Sequence, residues 1–157
     1  MKRILALALA VLLVLTLGAC GQEGQEETPA RTPEETAEEF LWEFFAADRN
    51  QRYQTFQTQS QENLEQAVED YYSALAEFTS EECLSLMISN RDLARYDSLY
   101  EGMQVQVKEI STTLEDDGSA EFTVKILADG TTVEYQGQLT VTESEGKALV
   151  ERFWCRI

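Results

Sequence analysis

Aromatic side chains are the main candidates for chemistry in this 157-residue chain. Tyr71 and Tyr72 lie on a predicted helix, whereas Tyr135 and Trp154 lie on predicted strands. A tyrosine hydroxyl inside an apolar pocket can hold a ligand oxygen or stabilise an oxyanion. We therefore predict a ligand pocket that includes these four residues, with packing in the core as their alternative role.

Histidine is absent from the whole sequence. Its absence removes the most common general base, the usual partner of a nucleophilic serine or cysteine, and the most common zinc ligand. The sequence also lacks a glycine-rich phosphate loop, a Gly-x-Ser-x-Gly elbow and a Cys-x-x-Cys pair. We therefore predict no catalytic residue and no cofactor.

One acidic run, Glu115-Asp116-Asp117-Gly118, has the charge to attract a cation. It lacks the alternating ligands of a helix-loop-helix calcium site and the glutamate that closes such a loop. A solvated hairpin turn explains the run better, and we predict no metal site.

These candidate residues must be positioned by the elements of a folded domain, and the chain does not begin with that domain. Lys2 and Arg3 precede a 14-residue, mainly apolar run from Ile4 to Leu17. A basic start followed by an apolar run and small residues is typical of an export signal. The run is too short to span a bilayer.

The residues that close this run, Leu17-Gly18-Ala19-Cys20, closely resemble the lipobox of bacterial lipoproteins. The resemblance implies that the Cys20 thiol receives a diacylglyceryl group and that residues 1–19 are removed as a signal peptide. It also implies an exported protein, anchored by lipid to the cell membrane and facing away from the cytoplasm. The alternative is an ordinary secretory signal in which Cys20 has no special role.

Residues 20–31 are predicted to form a flexible acidic tether. They contain no apolar residue larger than alanine after Cys20, so they cannot form a core. Glu23, Glu26 and Glu27 lie in this segment and should repel an anionic membrane surface. The lipid on Cys20, and not the charge of the protein, must therefore provide the contact with the membrane.

The chain is strongly acidic, with 12 basic residues, 29 acidic residues and a formal net charge of −17. The signal peptide contributes only Lys2 and Arg3, so the exported part would carry ten basic residues and a net charge of −19. Nucleic-acid binding requires clustered Lys and Arg, and we predict no such partner.

Lipidation of Cys20 would leave Cys83 and Cys155 as the two remaining cysteines. Disulfides persist outside the cytoplasm, so these two residues could form one bridge. Two buried thiols that pack as small hydrophobic groups are the alternative.

Residues 32–157 are predicted to form a single domain that begins with helices. Thr32, Pro33 and Glu35 form a capping box, and apolar residues at helical spacing continue the first helix to about Asn50. The segment from Arg49 to about Thr58 is predicted to form a shorter second helix or a turn with one helical stretch. The remaining helices are predicted to be a third capped by Ser60, a fourth that opens at Thr79-Ser80 and stops at Asn90, and further turns before Gly102.

After Gly102 the apolar period changes from about 3.6 to 2, which indicates strands. Turns are predicted at Asp117-Gly118, Asp129-Gly130 and Glu145-Gly146. Three consecutive hairpins imply a four-stranded antiparallel meander. In the last strand, Leu149, Phe153, Cys155 and Ile157 are predicted on one face and Val150, Arg152, Trp154 and Arg156 on the other. The predicted class is therefore α+β, with N-terminal helices packed on a curved sheet.

The lead helix, with the run AEEFLWEFF from Ala37 to Phe45 followed by Asp48, and the later order of elements resemble the nuclear transport factor 2-like superfamily. This resemblance covers Pro33 to Ile157. It implies a cone-shaped domain with a pocket between helices and sheet, which some members use for isomerase or dehydratase chemistry and others only for binding. Asp48 and Asp97 are acids that such a pocket could use, although no motif marks either one.

The leading functional expectation is a membrane-anchored domain that binds a small ligand or an envelope protein without catalysis. The first alternative is an isomerase or lyase that uses a pocket carboxylate and a tyrosine. The second is a structural accessory subunit that docks through its sheet. An open cone with a buried carboxylate beside a tyrosine would favour the enzyme, and a filled cone with an exposed apolar patch would favour a docking protein.

Overall fold

The computed structural model of the protein describes residues 31–157. The predicted signal peptide, Cys20 and all of the predicted tether except Arg31 lie outside the described residues. The described part contains five helices, followed by four strands. The helices are α1 (Pro33–Phe44), α2 (Arg49–Gln59), α3 (Leu64–Ala76), α4 (Glu81–Asn90) and α5 (Asp92–Leu99).

Helix α1 begins at the predicted capping box. The Glu35 amide donates to the Thr32 hydroxyl at 3.2 Å, and the Thr32 amide donates to the Glu35 carboxylate at 2.9 Å. The helix ends at Phe44, six residues before the predicted end at Asn50. A turn then reorients the chain so that Arg49, the first residue of α2, can bury its side chain against Asp97. The start of α2 at Arg49 agrees with the prediction, and residues 45–48 separate the two helices.

Helix α3 begins three residues later than the prediction. Asn63 is the cap, and its side-chain oxygen accepts from the Gln66 amide at 3.3 Å. Ser60, the predicted cap, instead ends α2, where its hydroxyl donates to the Gln57 carbonyl. Leu64, the first residue of α3, is exposed.

Helix α4 begins and ends as predicted. The Ser80 hydroxyl accepts from the Cys83 amide at 3.2 Å, and the helix stops at Asn90. Arg91 has a φ of 58°, in the left-handed region, and this single residue separates α4 from α5.

The four strands form one antiparallel sheet in the order β1-β2-β3-β4, which confirms the predicted meander. The strands are β1 (Val105–Leu114), β2 (Ser119–Ala128), β3 (Thr131–Ser144) and β4 (Lys147–Cys155). The three predicted turns join them. In the second and third turns, two successive residues have positive φ, as tight hairpins require.

Both outer strands contain a bulge, and each bulge changes which residues face the core. The β1 register shifts around Lys108, so that Val107 and Ile110 both point inward. The β3–β4 register shifts so that Val141 pairs with Val150 and Thr140 pairs with Arg152, which leaves Glu151 unpaired.

The second bulge explains an error in the predicted faces of β4. Val150 was placed on the face opposite Phe153, but it is fully buried. Strict alternation fails at Glu151 because the extra residue reverses the order of inward and outward side chains. Trp154 lies on the face opposite Phe153, as predicted, and this face is the exposed one.

The helices cover one face of the sheet, and the core lies between these two layers. The α+β class predicted from the sequence is therefore confirmed. Along β2 and β3, inward residues are buried, whereas their neighbours are exposed or half-buried. The opposite face of the sheet is open, and its side chains are mainly polar.

Candidate functional site

Aromatic side chains fill the space between the helices and the sheet. Six rings pack there, with centroids 4.8 to 6.2 Å from their neighbours: Phe40, Phe44, Phe45, Tyr96, Tyr135 and Phe153. A cavity of about 10 Å³ remains at their edge, beside Arg49 and Tyr100. This volume is close to the minimum that one water molecule needs. The interior is thus a packed core at the place where an open cone would hold a ligand.

The four residues predicted to share a pocket are not brought together. Tyr71 and Tyr72 are buried in α3, with ring centroids 5.3 Å apart. Tyr135 is buried on β3, where its hydroxyl is hydrogen-bonded to the hydroxyl of Tyr100. Trp154 lies on the opposite face of the sheet and is 60% exposed. The three tyrosines therefore pack in the core, and Trp154 belongs to a separate surface.

A buried ion pair joins α2 to α5. Arg49 and Asp97 are 3% and 2% exposed, and Arg49 Nη2 lies 3.0 Å from Asp97 Oδ2. Arg49 Nε also donates to Oδ2 at 3.2 Å, and the Tyr71 hydroxyl donates to the same oxygen. No sequence pattern indicates this cluster, because its two charged residues are 48 positions apart in the chain. Arginine suits the site because its fork can donate several bonds to one carboxylate.

The cluster is arranged for structure more than for proton transfer. Burial raises the pKa of Asp97 above its usual range, although Arg49 and the Tyr71 hydroxyl act in the opposite direction. The pKa of Tyr71 is far above its ordinary value of 10.0. Burial is the largest cause of this increase, and the charge of Asp97 is the second. Tyr71 therefore remains a neutral donor, and Asp97 has both oxygens in contact with donors.

Two polar atoms beside this cluster have no hydrogen-bond partner within residues 31–157. They are Arg49 Nη1 and the Tyr96 hydroxyl, and both residues line the cavity of about 10 Å³. Burial raises the pKa of Tyr96 well above its ordinary value, so its hydroxyl is also neutral.

A groove of about 490 Å³ lies on the surface between α2 and α3. Phe56 and Tyr71 line it, with their rings stacked at a centroid distance of 4.5 Å. Arg52 also lines the groove, but its guanidinium is paired with Glu43 and with Asp48 at 2.9 Å. The one cation of this groove is thus already neutralised by carboxylates of the same chain.

A second surface depression, of about 360 Å³, lies on the open face of the sheet. Trp154 and Arg156 line one side of it, and residues of β1, β2 and β3 line the rest, most of them with hydroxyl or amide side chains and the others being Glu121, Phe122 and Gly137. We call this surface the sheet platform and define it by two rows of residues that run across the strands. The first row is Thr113, Glu121, Gln138 and Trp154, and the second row is Ser111, Thr123, Gln136 and Arg156.

Cys83 and Cys155 are not bridged to each other in this structure. Cys83 is buried and Cys155 is half-buried. Burial raises the pKa of Cys83 to about 11 and that of Cys155 to about 12. Neither thiol is suited to act as a nucleophile near neutral pH, because the thiolate is the reactive form.

Residues 31–157 contain no cluster of three Cys, Asp or Glu side chains placed to hold a metal ion. No helix in this range is long and apolar enough to cross a bilayer.

The comparisons with known proteins do not place the chain in a family. No protein-family model matches it, and no curated protein does. Among solved structures, the chain is similar to the solution NMR structure of a de novo β-sheet design protein, with 16% identity over 73% of this chain and 88% of that one. The TM-score of 0.34 is too low for the similarity to support an argument about fold or function.

Proposed function

We propose that the protein is an exported lipoprotein, anchored through Cys20, whose single domain binds its ligand or partner on its surface without catalysis. The filled interior carries this proposal. Since aromatic rings occupy the space between helices and sheet, a ligand of more than a few atoms has room only on the outside.

The anchoring part of the proposal rests on the lipobox-like sequence and on charge. A chain with 29 acidic residues has no electrostatic attraction to an anionic membrane. Two acyl chains on one cysteine would supply a stable anchor, since each buried methylene contributes about 0.8 kcal/mol. The acidic tether would then hold the domain clear of the surface.

The fold part of the proposal is that the domain is a variant of the nuclear transport factor 2-like superfamily. The order of helices followed by an antiparallel meander supports it, as does the aromatic lead helix from Pro33 to Phe44. In this variant the usual pocket would be closed by the rings that pack around Tyr96 and Tyr135.

Replacement of Cys20 tests the anchor. We expect Cys20→Ala to move the protein from the membrane fraction to the soluble fraction after export, because the lipid would be its only membrane contact. Cys83→Ala is the matched control and should stay in the membrane fraction. Fractionation followed by intact-mass measurement checks both, and a Cys20→Ala protein that remains with the membrane would contradict the proposal.

An isomerase or lyase is the second candidate, and one observation favours it. Asp97 is a buried carboxylate beside a tyrosine hydroxyl, which is the pair of groups expected for such an enzyme. Arg49 neutralises this carboxylate, however, and the adjoining cavity of about 10 Å³ is too small for a substrate. The other alternative, a structural subunit that docks through its sheet, would use the same open face as the sheet platform.

A further inference from the structure

The sheet platform is an ordered array of polar groups. Antiparallel pairing sets Thr113 opposite Glu121, Glu121 opposite Gln138, and Gln138 opposite Trp154. Each residue of the second row lies on the same strand as its counterpart in the first row, two positions away along the chain. Neighbouring strands are about 4.8 Å apart, and residues two apart on a strand are separated by about 7 Å. The platform is therefore about 14 Å wide, and the ladder fixes the spacing of the backbone positions that carry its side chains.

The chemistry of the platform suits a neutral ligand rich in hydroxyl groups. Its three hydroxyl and two amide side chains can donate and accept hydrogen bonds. Gln136 donates one amide hydrogen to Glu134 at 3.0 Å and Gln138 donates one to Glu121 at 3.4 Å, so each amide keeps its oxygen and a second hydrogen for a ligand. Its two charged residues, Glu121 and Arg156, have opposite signs, so the platform itself has no net charge in a strongly acidic molecule. An anionic or cationic ligand would find no excess of opposite charge here.

Trp154 adds a flat apolar surface to this array. Its side chain is 60% exposed, although a tryptophan gains stability from burial. It lies directly across from Gln138, at the edge of the depression. A sugar ring has the matching chemistry, since its C–H faces can stack on an indole while its hydroxyls exchange hydrogen bonds with amides and hydroxyls.

A protein partner fits this surface less well. The centre of a protein interface is usually apolar, rich in aromatic residues and poor in charge. Within the platform, Trp154 is the single large apolar side chain, and it stands at one end of its row. The centre is formed by Glu121, Gln138, Thr123 and Gln136.

We propose that the sheet platform is a carbohydrate-binding site that holds a neutral oligosaccharide by stacking on Trp154 and by hydrogen bonds to Gln136 and Gln138. This inference deepens the proposed function and rests on it, because it names the class of ligand that the surface of the anchored domain binds. The spacing of the strands, about 4.8 Å, places one column of side chains under each successive sugar ring.

Tryptophan fluorescence provides a direct test because the chain contains only two tryptophans, Trp42 and Trp154. In Trp42→Phe, Trp154 is the only reporter. We would titrate this variant with cellotetraose, chitotetraose and maltotetraose as probes. The expected result is a saturable change in Trp154 fluorescence with at least one of them.

Substitutions in the platform should then weaken the binding of that probe. We expect Gln136→Ala and Gln138→Ala each to weaken binding by about tenfold, which is the equivalent of about 1.4 kcal/mol. Gln61→Ala, in the loop before α3 and outside the platform, is the matched control and should bind normally. Trp154→Ala, followed by calorimetry because the reporter is lost, should abolish measurable binding.

Two results would overturn the inference. One is the absence of any fluorescence change with all three sugars in a folded protein. The other is a change in Trp154 fluorescence that depends on protein concentration and coincides with dimer formation, since a second copy would then occupy the platform. Either result leaves the Cys20→Ala fractionation unaffected, so failure here is distinguishable from failure of the proposed anchoring.

Discussion

Asp97 shows how one buried charge can organise three helices. Its carboxylate receives Arg49 from α2 and the hydroxyl of Tyr71 from α3, while Asp97 itself lies on α5. A buried ion pair stabilises the folded state little more than an apolar pair of the same shape would. Removal of one partner, however, leaves an uncompensated charge in the interior. The cluster therefore specifies which helices meet.

We expect Asp97→Asn to lower the free energy of unfolding by about 3 to 5 kcal/mol, because Arg49 would stay buried without its counter-charge. Urea unfolding measures the change. Glu109→Gln is the control, since it breaks an exposed pair with Lys125 and should cost no more than about 1 kcal/mol. Equal losses for the two variants would show that Asp97 has no special role.

The same cluster gives a second comparison. If Asp97→Asn loses stability because Arg49 is left as an unpaired charge, the double variant Arg49→Met with Asp97→Leu should be more stable than Asp97→Asn alone. A double variant that unfolds at lower urea concentration than the single variant would argue against this reason.

At the scale of elements, the first hairpin is the most constrained. Gly118 has a φ of 81°, and a Cβ there would lie 2.2 Å from the Val141 carbonyl oxygen on β3. The Gly118 carbonyl also accepts from the Val141 amide at 2.9 Å. The third hairpin has a similar Gly146, with a φ of 78°, but a Cβ there would meet no atom within 4 Å.

These two glycines form a matched pair for an experiment. Gly146→Ala should cost about 1 to 2 kcal/mol, which is the ordinary cost of a left-handed alanine. Gly118→Ala should cost at least about 2 kcal/mol more, because it adds a backbone clash to the same φ penalty. Thermal unfolding of both variants checks the difference, and similar melting temperatures would contradict it.

The elements that local patterns specify were predicted well from the sequence. Capping residues placed the starts of α1 and α4, and turn pairs such as Asp129-Gly130 placed the hairpins. Errors occurred where distant contacts decide the local structure. The inward face of Val150, for example, depends on Glu151 being left unpaired opposite β3.

The candidate site was less predictable for the same reason. Tyrosines were recognised as candidates by residue type, but residue type does not reveal that Tyr71 bonds Asp97 or that Tyr135 bonds Tyr100. Trp154 lies on the face of β4 opposite Phe153, as predicted, but apart from the three tyrosines with which a shared pocket was predicted. The rows that surround it exist only once the register of four strands is known.

At the scale of the whole molecule, several weak acids are kept protonated by burial. Burial raises the pKa of Tyr72 from 10.0 to about 12 and the pKa of Cys83 from 9.0 to about 11. The folded state therefore holds these protons more tightly than the unfolded state does. Their contribution to stability is complete below about pH 9 and is lost as the pH rises toward 11 and 12.

We expect the melting temperature of the reduced protein to fall steadily between pH 9 and pH 11, the two values that bound the shift of Cys83. Scanning calorimetry measures this dependence. Cys83→Ala should show a smaller fall over the same range, because it has no thiol to ionise there. Identical pH profiles for the two proteins would contradict the assigned cause.

The bulge at Lys108 has a consequence for many copies of the protein at once. β1 is an outer strand, and an outer strand with regular spacing offers a row of unpaired amides and carbonyls to any second strand that meets it. The extra residue interrupts this row, and the exposed Lys108 places a charge beside the break. Copies confined to the plane of a membrane, as we propose, collide often and side by side. The bulge would then let them crowd together without joining edge to edge into fibres.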